Sequence, residues 1–111
     1  CIFCKIINSE IPSNKVYEDD DVLAFKDINP QMPVHIIVIP KKHIKSIADL
    51  TIEDETLIGK IFTAINKITK DLNISEDGFR VISNCGENAG QTVQHLHFHI
   101  LGGEKMSEKI I

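Results

Sequence analysis

An α+β fold with a mainly antiparallel sheet is the class this sequence predicts, on three observations. Short apolar, β-branched runs recur between Pro, Gly and Asp turns, one long stretch has helical periodicity, and further strand-like runs follow it. Residues 1–8 carry Ile2, Phe3, Ile6 and Ile7 at helical spacing, and residues 9–12 stop that short helix. Strands are expected over 16–18 and 22–28, joined as a hairpin by the solvated turn Asp19-Asp20-Asp21. After the loop Asn29-Pro30-Gln31-Met32-Pro33, residues 34–39 are almost wholly apolar and β-branched, the pattern of a central strand covered on both faces, and Pro40 ends them. From 53 to 72, Leu57, Ile58, Ile61, Ile65, Ile68 and Leu72 form the stripe of an amphipathic helix. Thr51 is its expected N-cap with Asp54 as reciprocal partner, and Lys67 and Lys70 suit its C-terminal dipole. Phe62 and Ala64 lie off that stripe and are compatible with a second buried face. The last strands are expected over 79–84 and about 92–101, separated by the glycine-containing loop 84–91.

The chain of 111 residues is long enough for one domain, taken as 1–111, with a small core. Sixteen acidic residues stand against 12 basic ones, and Arg80 is the only arginine, so the charge pattern that binds long nucleic acid is missing. The longest aliphatic run, Ile36-Ile37-Val38-Ile39, falls far short of the roughly 20 apolar residues of a membrane span. No basic leader precedes it, and a cytoplasmic location is the expectation. Three cysteines, two of them at C-x-x-C spacing, fit a reducing compartment and a metal or redox role better than a disulfide framework.

His95-Leu96-His97-Phe98-His99-Ile100-Leu101 is the most informative segment. In a strand, Val93, His95, His97 and His99 share one face and Gln94, Leu96, Phe98 and Ile100 the other, with same-face residues about 6.5 to 7 Å apart. Three buried imidazoles need partners, and an anion or a metal is the natural one. Gly90-Gln91-Thr92, just before them, offers backbone N–H groups, a hydroxyl and close backbone approach, which suits a phosphate in front of an attacking imidazole. Cys1-Ile2-Phe3-Cys4 puts two sulfurs on one face of a helical turn, a spacing that fits a metal, core packing or redox chemistry alike. Cys85 lies outside these patterns and reads as a packing or solvent-near thiol, while Lys41 and Lys42 read as exposed charges.

The stretch from Gly90 to Leu101 resembles the histidine triad signature, in which histidines alternate with hydrophobic residues. Cys1 to Ile7, Phe25-Lys26-Asp27-Ile28-Asn29-Pro30-Gln31, His35 to His43, Asn84-Cys85-Gly86 and Gly102-Gly103 with Met106 extend the resemblance to the Hint branch, over essentially the whole chain. It implies a five-stranded antiparallel sheet with one long and one short helix, extended across a homodimer through the long helix and neighbouring strands. It also implies a purine nucleoside phosphoramidase. His97 would attack the α-phosphorus of a nucleoside 5'-phosphoramidate, with His99 assisting proton transfer and His35 orienting the nucleophile. Gln91, Thr92 and the backbone at Val93, within the loop opened by Gly90, would hold phosphate oxygens, helped by Asn84. Asp27 would take the ribose hydroxyls, and Ile2, Phe3, Ile6, Ile11, Phe25, Ile28 and Ile37 would wall a base pocket open to either purine, so that AMP or GMP is the product. Similarity to bacterial Hint-like proteins and galactose-phosphate uridylyltransferases implies structural Zn²⁺ on Cys1, Cys4, His43 and His95, and no organic cofactor; the competing reading is that His95 donates to a backbone carbonyl, as in members without the cysteines. Residues 107–111 depart from the aromatic, proline-rich tail of animal members, a region that influences substrate choice. The alternatives are a dinucleoside polyphosphate hydrolase and a nucleotide-binding regulatory module whose catalysis is incidental.

Overall fold

A computed structural model describes residues 1–111. Five strands, β1 (Lys15–Glu18), β2 (Val22–Lys26), β3 (Val34–Pro40), β4 (Phe79–Ile82) and β5 (Phe98–Gly102), form one antiparallel sheet in the order β1-β2-β3-β5-β4. The short helix α1 (Ile2–Ile7) covers one face and the long helix α2 (Glu55–Asp71) the other. Alternation along the central strands divides the core accordingly. Val22, Ala24, Ile36, Val38, Phe98 and Ile100 pack with Ile61, Ala64, Ile65 and Ile68 of α2. Leu23, Phe25, Ile37 and Ile39 pack with Phe3 and Ile6 of α1. β3 is therefore buried on both faces, as its unbroken apolar run predicts.

The helix start is also as expected, with one difference of geometry. Thr51 and Asp54 form a complete capping box, in which the Thr51 N–H donates to the Asp54 carboxylate, but the first turn, Ile52–Asp54, is 3₁₀ and α2 proper begins at Glu55. Ala64, expected on a second buried face, is fully buried against the sheet; Phe62 remains 46% exposed, its ring 5.6 Å from that of Phe98. The acidic turn is a cap for the hairpin, since Asp19 Oδ1 accepts from the N–H groups of Asp21 and Val22. Lys41 and Lys42 are ion-paired, with Glu18 and Asp54.

The strand expected over 92–101 is shorter than predicted. Only Phe98–Gly102 pairs with β3, and residues 92–97 are irregular. Continuing the register would set Leu96 opposite Pro40, which has no N–H to donate. Other bonds replace the ladder: the Leu96 N–H donates to the Ile44 carbonyl, and the Ser83 hydroxyl donates to the carbonyl of His97 at 2.8 Å. Beyond β5, Gly103 has a left-handed backbone (φ 95°), and a Cβ there would lie 2.9 Å from Cβ of Pro33. Gly103→Ala should cost about 1 to 3 kcal/mol in denaturant unfolding; an unchanged midpoint would show that the β3 entry yields without cost.

Candidate active site and metal centre

The N-terminal sequence of α1 brings side chains to two places at once. Its capping residue is Cys1, whose sulfur accepts from the Cys4 N–H, so both sulfurs are drawn to the same end of the helix. Cys1 Sγ lies 3.4 Å and Cys4 Sγ 3.7 Å from Nδ1 of His95, while Cys4 Sγ is 3.3 Å from Nδ1 of His43. The two imidazole Nδ1 atoms are 3.2 Å apart, and all four donor atoms fall within 4.8 Å of one another. His95 Nε2 must carry its hydrogen, because it faces the Pro40 carbonyl at 2.8 Å; in the neutral ring Nδ1 is then a lone pair aimed at the cluster. Burial pushes the His95 pKa down, which favours the neutral ring. Two sulfurs and two nitrogens are the donor set and number of a closed tetrahedral site, and the residues fit a Zn²⁺ ion.

The triad lies on the other side of His95. The carbonyl of His95 stands 2.7 Å from Nδ1 of His97, so that nitrogen donates and Nε2 of His97 carries the lone pair. A second chain of bonds defines its neighbour. The Gln31 backbone N–H donates to Nδ1 of His35, which leaves the hydrogen of neutral His35 on Nε2, 2.9 Å from Nδ1 of His99 and 3.3 Å from Asp27 Oδ2. His99 thus accepts at Nδ1 and presents N–H at Nε2, with its ring centroid 5.2 Å from that of His97. Burial, reinforced by the His97 and His35 rings, pushes the His99 pKa down. An imidazole NMR titration should accordingly place His99 below an unperturbed histidine; protonation at or above the unperturbed value would contradict the burial of this ring beside His97 and His35. Asp27, His35 and His99 also cluster closely enough to hold a metal. Their bonding argues against it, since the Gln31 N–H occupies one nitrogen of His35 and the hydrogen it forces onto the other points into the cluster.

The seven apolar residues expected to wall a base pocket, Ile2, Phe3, Ile6, Ile11, Phe25, Ile28 and Ile37, line one cavity of about 420 Å³. Asp27 is at its rim, and Pro12, Ser13, Asn14 and Lys26 complete it. Phe3 joins cavity to triad, its ring edge-on to His97 at 5.1 Å. In the loop before the triad, Gly90 closes a 3₁₀ turn in the left-handed conformation (φ 80°). The N–H groups of Thr92 and Val93 have no partner within the protein.

Two expected phosphate ligands are engaged elsewhere. The Gln91 side chain is buried, donating to the carbonyls of Lys45 and Val93 and accepting from the Gly86 N–H. Asn84 donates its amide to the Ala89 carbonyl. Both shape the loop. Sequence reasoning missed Ser83, which holds the His97 carbonyl, and the backbone groups of Gln31 and Pro40, which choose histidine tautomers. A backbone role leaves no side-chain signature, but Ser83 lies within the strand predicted over 79–84 and could have been found.

Comparison with known proteins agrees with this architecture. The HIT domain family model matches residues 8–106. The purine nucleoside phosphoramidase of Escherichia coli K12 is 47% identical over 105 residues, covering 95% of this chain and 88% of that protein. A histidine triad protein from Clostridium difficile superposes with a TM-score of 0.95 at 54% identity, covering 98% of this chain and 95% of that one. A HIT family hydrolase from Clostridium thermocellum gives 0.98 at 50% identity, covering 100% and 96%. With the triad, the sheet and these relatives in agreement, the chain belongs to the HIT family.

Proposed function

We propose that this chain, acting as one HIT domain, is a purine nucleoside phosphoramidase, a hydrolase of the P–N bond. The observation that carries the reading is the pair of assigned tautomers, a nucleophilic lone pair on His97 Nε2 beside a donor on His99 Nε2. The activity named for the Escherichia coli relative supports the substrate class.

The base lies in the apolar cavity, between Ile2, Phe3, Ile6 and Ile11 on one side and Phe25, Ile28 and Ile37 on the other. Asp27 accepts from the ribose hydroxyls, and the N–H groups of Thr92 and Val93 hold phosphate oxygens where negative charge grows. Gly90, Gln91 and Asn84 keep that loop in shape. His97 Nε2 attacks the α-phosphorus; a bond from phosphorus to the imidazole forms as the bond to the amine breaks. The leaving amine takes a proton from a water that His99 orients, which leaves hydroxide. That hydroxide attacks phosphorus as the bond to His97 Nε2 breaks, releasing the nucleoside monophosphate and restoring neutral His97. His35, expected to orient His97, bonds His99 instead, and the carbonyl of His95 fixes His97, so neither ring has to reorganise during the reaction.

Zn²⁺ held by Cys1, Cys4, His43 and His95 has a structural role in this reading, because four protein ligands leave no open position. A homodimer is supported by the free outer edge of β4 and by half-exposed Phe62 on α2. No helix is long and apolar enough to cross a membrane. The test is turnover of adenosine 5'-phosphoramidate beside a diadenosine polyphosphate. Fast release of AMP from the phosphoramidate alone is expected; preference for the dinucleotide would move the protein to the other enzymatic reading, and turnover of neither would leave nucleotide binding as its role.

A further inference from the structure

The metal cluster and the triad share a wall. Phe3 stands between Cys1 and Cys4 in sequence, is buried, lines the nucleotide cavity, and sets its ring 5.1 Å from that of His97 and 5.6 Å from that of Phe25. A second link runs through one residue. His95 turns Nδ1 toward the cysteines while its carbonyl, 2.7 Å from Nδ1 of His97, chooses the tautomer of the nucleophile. α1 has six residues, too few to be stable on local hydrogen bonds, so its position depends on what anchors it.

We propose that metal occupancy at Cys1, Cys4, His43 and His95 is coupled to nucleotide binding at the His97 site, through Phe3 and the His95 carbonyl. The inference rests on the nucleotide reading above. Without an ion, the lone pair on His95 Nδ1 is met only by a hydrogen from His43 Nδ1, 3.2 Å away, or from a cysteine thiol; an ion draws all four donor atoms to one point at once. Loss of the ion lets these groups separate. The sulfurs flank Phe3 on a single helical turn, so the base wall moves with them, and His95 cannot shift its ring freely while holding its carbonyl on His97. Phe3 and His95 are in this respect positioning residues. Linkage makes the effect reciprocal: an ion that tightens AMP binding is itself bound more tightly by the same factor when AMP is present.

The experiment uses the full chain, loaded with Zn²⁺ or stripped by a chelator, with AMP titrated by calorimetry and Zn²⁺ affinity read by competition with a chromophoric chelator. Stripping should weaken AMP binding about fivefold or more, and saturating AMP should raise Zn²⁺ affinity by the same factor. Phe3→Leu keeps all four ligands; it should bind Zn²⁺ as the unaltered chain does but lose most of the gain that AMP confers. Imidazole ¹⁵N spectra should show His97 as one Nδ1–H tautomer when loaded and as a mixture when stripped, a signal that a purely structural ion would not move. Should the stripped chain unfold, the rate of Zn²⁺ release from loaded protein decides instead: AMP should slow it in the unaltered chain and much less in Phe3→Leu. Equal AMP affinity with and without Zn²⁺, an undiminished AMP effect in Phe3→Leu, or failure to bind Zn²⁺ would overturn the coupling alone. Absence of AMP binding in both forms would overturn the nucleotide reading and this inference with it.

Discussion

Replacing His97 by alanine should lower turnover of adenosine 5'-phosphoramidate by a factor on the order of 10⁴ or more, because it removes the atom that forms the covalent intermediate. The fold should survive. His97 is buried, but its side-chain hydrogen bond is local, to the carbonyl of His95 two residues earlier, and its aromatic contacts are Phe3 and His99. AMP binding should persist within about tenfold, since the base wall, Asp27 and the loop N–H groups are untouched. Steady-state rates together with AMP titration check this. A variant that turns over normally would remove His97 from the chemistry, and one that loses AMP binding and turnover equally would make it a binding residue.

The largest effect on stability is expected at Ile100. It is fully buried in β5, paired with Ile36 of β3 and Val81 of β4, and packs in the core beneath α2. Ile100→Ala removes three carbons from a site whose neighbours belong to three strands and a helix and cannot close in together, so it should cost about 3 to 4 kcal/mol. For a domain of this size that lowers the unfolding midpoint by about 10 °C or more. Ile28→Ala, at a residue 92% exposed, should cost less than about 0.5 kcal/mol. Denaturant unfolding of the two variants side by side checks the contrast, and comparable losses would mean that the cavity rim bears on the fold as strongly as the core does.

Much of this architecture was legible in the chain. The unbroken run at Ile36-Ile37-Val38-Ile39 has apolar side chains at both parities, and only a strand with a layer on each face accommodates that. The stripe on α2 and the Thr51 and Asp54 capping box follow from helical periodicity and from donors that a helix start leaves unpaired. Motif and resemblance name the seven apolar pocket residues and the four candidate metal donors, and each group comes together in space; of the triad, the rings of His97 and His99 meet while that of His95 turns to the cysteines.

What was not legible concerns groups that the sequence does not distinguish. Alternation assigned His95, His97 and His99 to one face, yet only His99 belongs to a strand. Pro40 ends the ladder, and the carbonyls and hydroxyls that replace it send His95 to the cysteines and His97 to Phe3. Gln91 and Asn84 have the right chemistry for phosphate, but the buried Gln91 amide must satisfy the carbonyls of Lys45 and Val93, and Asn84 gives one N–H to the Ala89 carbonyl. Residue type and spacing were enough to determine the layers, the helix starts and the inventory of imidazoles, since those depend on burial and local propensity. Which nitrogen of each imidazole holds the hydrogen was decided only when folding brought the carbonyls of Pro40 and His95 and the N–H of Gln31 against the rings, because a tautomer answers to whichever backbone group faces it.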